Sequence, residues 1–166
     1  MSSREWASLP LGTRETIEAH QLDMPIKMST LARALGLNVR SATLAAGISG
    51  ELRPDPERPG RFIIRVNRHD SPRRQRFTVA HELGHFLLHR DHIGNGIKDD
   101  VLYRSTLSDR REAEANRIAA DILMPNRLVQ ERIGRARAMQ VVDVVGYLAE
   151  QFDVSETAMK IRLGLS

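Results

Sequence analysis

The chain has 166 residues, 41% of them hydrophobic, and a net charge of +4 at pH 7, enough to bury a core in one domain with at most a small appendage. It contains no cysteine, which excludes disulfides, thiolate metal ligands and a cysteine nucleophile, and suits a reducing compartment. Met1-Ser2-Ser3-Arg4-Glu5-Trp6 has no apolar leader character and no stretch reaches the length of a membrane span, so a soluble, cytoplasmic protein is expected.

Residues 13–21 and 28–35 read as two short helices, the second stopped by Gly36. Residues 39–44 read as a strand. Residues 49–53 and 61–67 flank Pro54-Asp55-Pro56-Glu57-Arg58-Pro59-Gly60, a turn-rich connector, and are expected to pair as a hairpin. Phe62, Ile64 and Val66 alternate with Ile63 and Arg65, the pattern of a strand buried on one face. Arg58, Arg61, Arg65, Arg68, Arg73, Arg74 and Arg76 cluster here, while Lys occurs only at Lys27, Lys98 and Lys160. Such a cluster can meet phosphates or an acidic partner, or be ordinary solvated surface. Few aromatics interleave with it, so base stacking is poorly supported.

Ser71-Pro72 looks like an N-cap followed by proline at the first helical position. The helix it opens carries His81-Glu82-Leu83-Gly84-His85, an H-E-x-x-H motif. Four residues advance a helix by slightly more than one turn, so His81 and His85 share a face. Two neutral imidazoles so placed can hold one Zn²⁺, with Glu82 as general base on a metal-activated water. Phe77, Val79, Ala80, Leu83, Phe86, Leu87 and Leu88 cover nearly the whole circumference, as in a helix enclosed by protein. The alternative, an exposed helix with two surface histidines, is disfavoured by that context. Unpartnered, buried His and Glu side chains would each cost a few kcal/mol, which a metal removes. Gly84 in mid-helix costs about 1 kcal/mol relative to Ala, best explained by something passing close to the backbone.

Gly94 lies soon after the helix end, residues 91–100 read as a polar loop, and residues 101–105 as a further strand. Ser108 or Asp109 can cap the start of the second strong helix, and Pro125 ends it. Its small apolar face, Ala115, Ala119, Ile122 and Leu123, allows close approach to another helix. A zinc hydrolase site needs a third protein ligand, and Glu112 is the candidate, with Asn116 one turn on to orient a ligand by hydrogen bonding. The alternative is that Glu112 and Glu114 are solvated first-turn acids favoured by the helix dipole. Glu114 lies about 200° round from Glu112 and cannot share its role. Helices follow at 126–138 and 141–151, and residues 147–163 look like a helix-turn-helix with Ser155 capping its second helix. As a DNA reader it is weak, with Glu156 near the N-terminus and only Lys160 and Arg162 basic; packing on the core or on a partner is favoured.

The run 73–89 around His81-Glu82-Leu83-Gly84-His85, together with Glu112-x-x-x-Asn116, Ala119-Ala120 and Leu123-Met124-Pro125, resembles the ImmA/IrrE-type metallopeptidases. Ile48-Ser49-Gly50 and the strand at 63–67 sit where that family has similar residues, and the resemblance spans roughly residues 25–165. It implies one catalytic zinc held by His81, His85 and Glu112, with Glu82 as base. Glu112 is preferred over Glu114 as the first Glu of its block. The expected fold is α+β: a zincin-like core (residues 1–125) with a small sheet or hairpin and a buried H-E-x-x-H helix, and a C-terminal helical segment (126–166) packed on it.

The reaction expected is zinc-dependent peptide hydrolysis, in which Glu82 takes the proton of the attacking water and delivers it to the leaving amine. The substrate is expected to lie extended along the hairpin edge. His89, His92, Tyr103 and Arg104 are the candidates for a second oxyanion stabiliser, with a structural or solvent-exposed role as the alternative for each. His89, Tyr103 and Arg104 are candidates for lining the cleft, and His89 also recurs in the family. The resemblance implies that the substrate is a repressor of the helix-turn-helix class, whose cleavage relieves repression of a mobile element or stress regulon. Without the sensory domain of the longer radiation-response members, the anti-repressor or toxin–antitoxin-associated type is the closer model. Two rivals stand beside it: a DNA-binding regulator with a structural zinc, and a non-catalytic module that sequesters a repressor.

Overall fold

The computed structural model describes residues 2–100 and 109–165, with residues 97–100 described by backbone alone. The expected strand at 101–105, Tyr103, Arg104 and the alternative cap Ser108 lie outside the described residues.

Three helices open the chain: α1 (Arg4–Ser8), α2 (Leu11–His20) and α3 (Met28–Ala34). The first has no counterpart in the apolar pattern. It is short and capped by Ser3, whose hydroxyl accepts from the Trp6 amide, and Glu5 bridges to Arg117. Gly36 follows α3 with φ +94, a conformation that stops the helix at no steric cost.

Among the described residues, four strands form one sheet in the order β1-β3-β2-β4. In β1 (Leu37–Ala42), Leu37 lies opposite Phe62 of β3 (Phe62–Asn67), and the two strands run parallel. β2 (Ile48–Pro54) and β3 form the expected antiparallel hairpin, with Pro54 opposite Phe62. β4 (Ile97–Asp100) pairs with the other edge of β2. The segment expected to be a loop up to residue 100 therefore ends in a strand. It also follows that both edges of the hairpin are taken, so a substrate cannot add to it. β3 is an inner strand, and Ile63 on its second face is buried along with Ile64 and Val66.

The helix α4 (Pro72–Leu88) begins as its cap predicts: the Ser71 hydroxyl accepts from the Arg74 amide, and Pro72 occupies the first turn. It lies on β2 and β3 and packs along its other side on α5 (Asp109–Leu123). The core runs between these elements through Leu52, Ile64, Val79, Leu83, Ile118 and Ile122. Full burial of each such side chain contributes about 1.5–3 kcal/mol.

The C-terminal helices are α6 (Asn126–Ala138), α7 (Val144–Phe152) and α8 (Glu156–Arg162). α7 starts later than the apolar run suggests because Asp143 caps it, its carboxylate accepting from the Gly146 amide. Asp153, with φ +52, turns the chain into α8, where Ser155 accepts from the Ala158 amide. Arginines tie this unit to the rest, Arg73 by pairing with Asp153. Arg76 donates to the Ile26, Phe152 and Asp153 carbonyls, and Arg162 donates to the Met124 carbonyl and Asp121. Among the described residues, no helix is long and apolar enough to cross a membrane.

Candidate metal centre and cleft

Two glycines decide how α4 is held. A Cβ at Gly84 would lie 2.9 Å from the Ala115 carbonyl oxygen, so the absent side chain lets α5 cross directly against α4. On the other side, a Cβ at Gly50 would collide with Thr78 Cγ2 and come within 3.3 Å of Glu82 Oε1. Strand β2 thus presses on the helix at the motif glutamate, which is fully buried.

The α4–α5 crossing brings Glu112, one turn before Ala115, onto the two motif histidines. His81 Nε2 and His85 Nε2 face one another at 3.1 Å. The Glu112 carboxylate straddles them, Oε2 at 3.2 Å from His81 Nε2 and Oε1 at 3.0 Å from His85 Nε2. Among the described residues, these three form the group of ligand-type side chains that could hold one ion. Donors bound tetrahedrally to zinc at their usual distances lie about 3.3 Å apart. The observed spacings are close to that figure.

The far side of each ring agrees with this assignment. His81 Nδ1–H donates to Asn116 Oδ1 at 2.8 Å, which leaves the Nε2 lone pair directed at the cluster. His85 Nδ1 faces His89 Nδ1 at 3.0 Å, and both rings are buried. His89 therefore sits behind His85 rather than in the cleft, and its Nε2 looks toward Glu114 Oε2 at 3.7 Å. Burial pushes the His89 imidazole below its ordinary range, and neighbouring His85 adds to the shift. His92 is exposed, in a single helical turn (Arg90–His92) beyond α4. The two partners missed at this centre, Glu114 and the inward orientation of His89, left a partial signal: His85 and His89 are four residues apart on one helix.

Beside His81 opens a cleft of about 840 Å³. His81, Glu112 and Asn116 are among the residues that line it, and Phe77, Met124 and Ile161 supply an apolar surface. Ser155, Thr157 and Ala158 make α8 one wall. The arginines near it are largely engaged: Arg73 and Arg76 with Asp153, Arg117 with Glu5, Arg162 with Asp121.

The family model of the IrrE N-terminal-like domain, a peptidase family, matches residues 32–164. Over 110 residues the chain is 36% identical to the radiation response metalloprotease IrrE of Deinococcus radiodurans. That match covers 56% of this chain and 31% of the relative, so the chain spans about a third of that protein's length. A Mycobacterium tuberculosis transcriptional regulator shares the fold, with a TM-score of 0.62 at 18% identity over 99% of this chain and 48% of that one.

Proposed function

The chain belongs to the peptidase family of the IrrE N-terminal-like domain, and from that premise we propose that it is a zinc-dependent endopeptidase acting on a protein substrate. The observation that carries this reading is the convergence of His81, His85 and Glu112 at about 3 Å spacings, with His81 and Glu112 lining a cleft. The donor set, two imidazoles and one carboxylate, is that of catalytic zinc sites that keep a fourth position for water or substrate.

His81 and His85 would hold the ion, and Glu112 would complete the donor set from α5. Zinc, when bound, supplies a Lewis acid that polarises the scissile carbonyl and acidifies the attacking water. Glu82, next in chain to His81 and held against Gly50, accepts the proton and returns it to the leaving amine. Asn116 keeps the His81 ring in register. Among the described residues β4 is the outer strand, paired with the strand that carries Gly50, and it is the edge on which an extended substrate adds as a further strand.

In this reading residues 1–125 form the catalytic core and 126–166 the helical segment packed on it, which also contributes a cleft wall. The substrate proposed is a helix-turn-helix repressor, cleaved to relieve repression. The DNA-binding alternative loses support from its own residues: Arg65 pairs with Glu51, Arg73 and Arg76 with Asp153, and Arg162 of α8 with Asp121. Profiling of new protein N-termini in cells expressing wild type or Glu82→Gln tests the proposal. A fragment of one regulator seen only with wild type is the expected result; identical profiles from soluble, zinc-loaded proteins would overturn it.

A further inference from the structure

His85 is the most deeply placed member of the cluster, fully buried, and it is held at both ring nitrogens. Its Nε2 faces His81 and Glu112, while its Nδ1 faces His89 Nδ1 at 3.0 Å. For Nε2 to present a lone pair to an ion, the ring proton must sit on Nδ1, and that proton then needs an acceptor. The group placed to accept is His89 Nδ1. With Nδ1 accepting, the His89 proton lies on Nε2, and that nitrogen faces the Glu114 carboxylate at 3.7 Å. The distance exceeds a direct hydrogen bond but keeps the negative charge on the side where the N–H points.

We infer that His89, backed by Glu114, is the positioning group for His85, fixing its tautomer and ring orientation so that Nε2 meets the ion. The inference rests on the metal-centre reading above. It gives the two histidines separate supports: His81 is set by Asn116 from α5, and His85 by His89 at the end of α4 itself. It also gives Glu114 a part distinct from that of Glu112. Glu112 reaches the face shared by His81 and His85, and Glu114 reaches His89 behind them.

The test is zinc affinity of the full chain, measured by competition with a chromophoric chelator, alongside thermal unfolding of the metal-free protein. His89→Leu removes the acceptor and is expected to weaken zinc binding about 10- to 100-fold. His89→Asn places a carbonyl oxygen near the position of Nδ1 and is expected to recover affinity to within a few-fold of wild type. Glu114→Gln, at a partly exposed position, is expected to give a smaller loss in the same direction. Equal affinity of His89→Leu and wild type would overturn the inference. So would equal losses for Leu and Asn that track a fall in metal-free stability, since that pattern marks a packing role. Failure of the wild type to bind zinc would instead remove the metal-centre reading, and this inference with it.

Discussion

Gly84 of α4 and Ala115 of α5 touch backbone to backbone: a Cβ on the glycine would stand 2.9 Å from the Ala115 carbonyl oxygen and 3.0 Å from its Cα. That contact sets the separation of the two helices, and the separation sets whether Glu112 reaches the motif histidines. Substituting Gly84→Ala gains about 1 kcal/mol of helix propensity but forces a methyl group against main chain that no side-chain rotation can clear. A net loss of about 1–3 kcal/mol is expected from the overpacking. Zinc affinity should fall with it, because α5 carries Glu112 away. Denaturant unfolding with parallel zinc titration checks both; a stabilised variant with unchanged affinity would show that the crossing does not control the site.

Removing a ligand and removing its support should differ in degree. With Glu112 as the proposed third donor, Glu112→Gln replaces a charged oxygen by a neutral amide and is expected to weaken zinc by more than Asn116→Ala, which leaves all three proposed donors and costs about 10- to 100-fold. Both variants should remain folded, since neither side chain belongs to the apolar core. Competition with a chelator ranks them, and an Asn116→Ala protein that binds as tightly as wild type would remove the proposed part of that side chain.

Metal removal should lower thermal stability, because an ion bound only by the folded state stabilises that state. At a zinc concentration about 100 times the dissociation constant, the contribution is about 2.7 kcal/mol. Unfolding scans with and without chelator should differ accordingly, and the difference should shrink in Glu112→Gln.

Glu5 ties the N-terminal helix to α5 through a two-pronged pair with Arg117, at 3.0 and 2.7 Å. Hydrogen bonding to Arg117 holds its carboxyl at about 2, below the ordinary 4.5. A depressed folded value means the pair stabilises fully above about pH 4.5 and is lost as pH falls toward about 2. Arg117 is partly exposed, so solvent screening trims the contribution to about 2 kcal/mol. Glu5→Gln should be less stable than wild type at neutral pH, and the gap should close between about pH 4.5 and 2. A gap that stays constant over that range would exclude this pair as its source.

Asp121 is 3% exposed and accepts from the Ser3 amide, the Ser3 hydroxyl and Arg162. Replacing Arg162→Leu leaves a buried carboxylate without its counter-charge and is expected to cost about 3–5 kcal/mol. The double substitution Arg162→Leu with Asp121→Asn should recover part of that loss, as read from denaturant midpoints.

Local chemistry made much of this protein legible in its sequence. The four-residue spacing of His81 and His85, the Ser71-Pro72 start of α4, the stop at Gly36 and the Ser155 cap each depend on groups within a turn of one another, so residue type and spacing suffice. The anomaly of Gly84 in an apolar helix also marked a close crossing, though not what crosses. Other features hang on groups far apart in the chain, and no spacing rule reaches them. β1 pairs parallel with β3 across the hairpin, and β4 covers β2, so the hairpin that reads as a free edge is the middle of the sheet. Between Glu112 and Glu114, helix periodicity says only that they face different ways. It is the packing of α5 on α4 at Ala115 that turns one toward the histidine pair and the other toward His89. Which side of His85 is cleft and which is protein interior was likewise settled by that packing, because burial is a property of the assembled layers and not of any one helix.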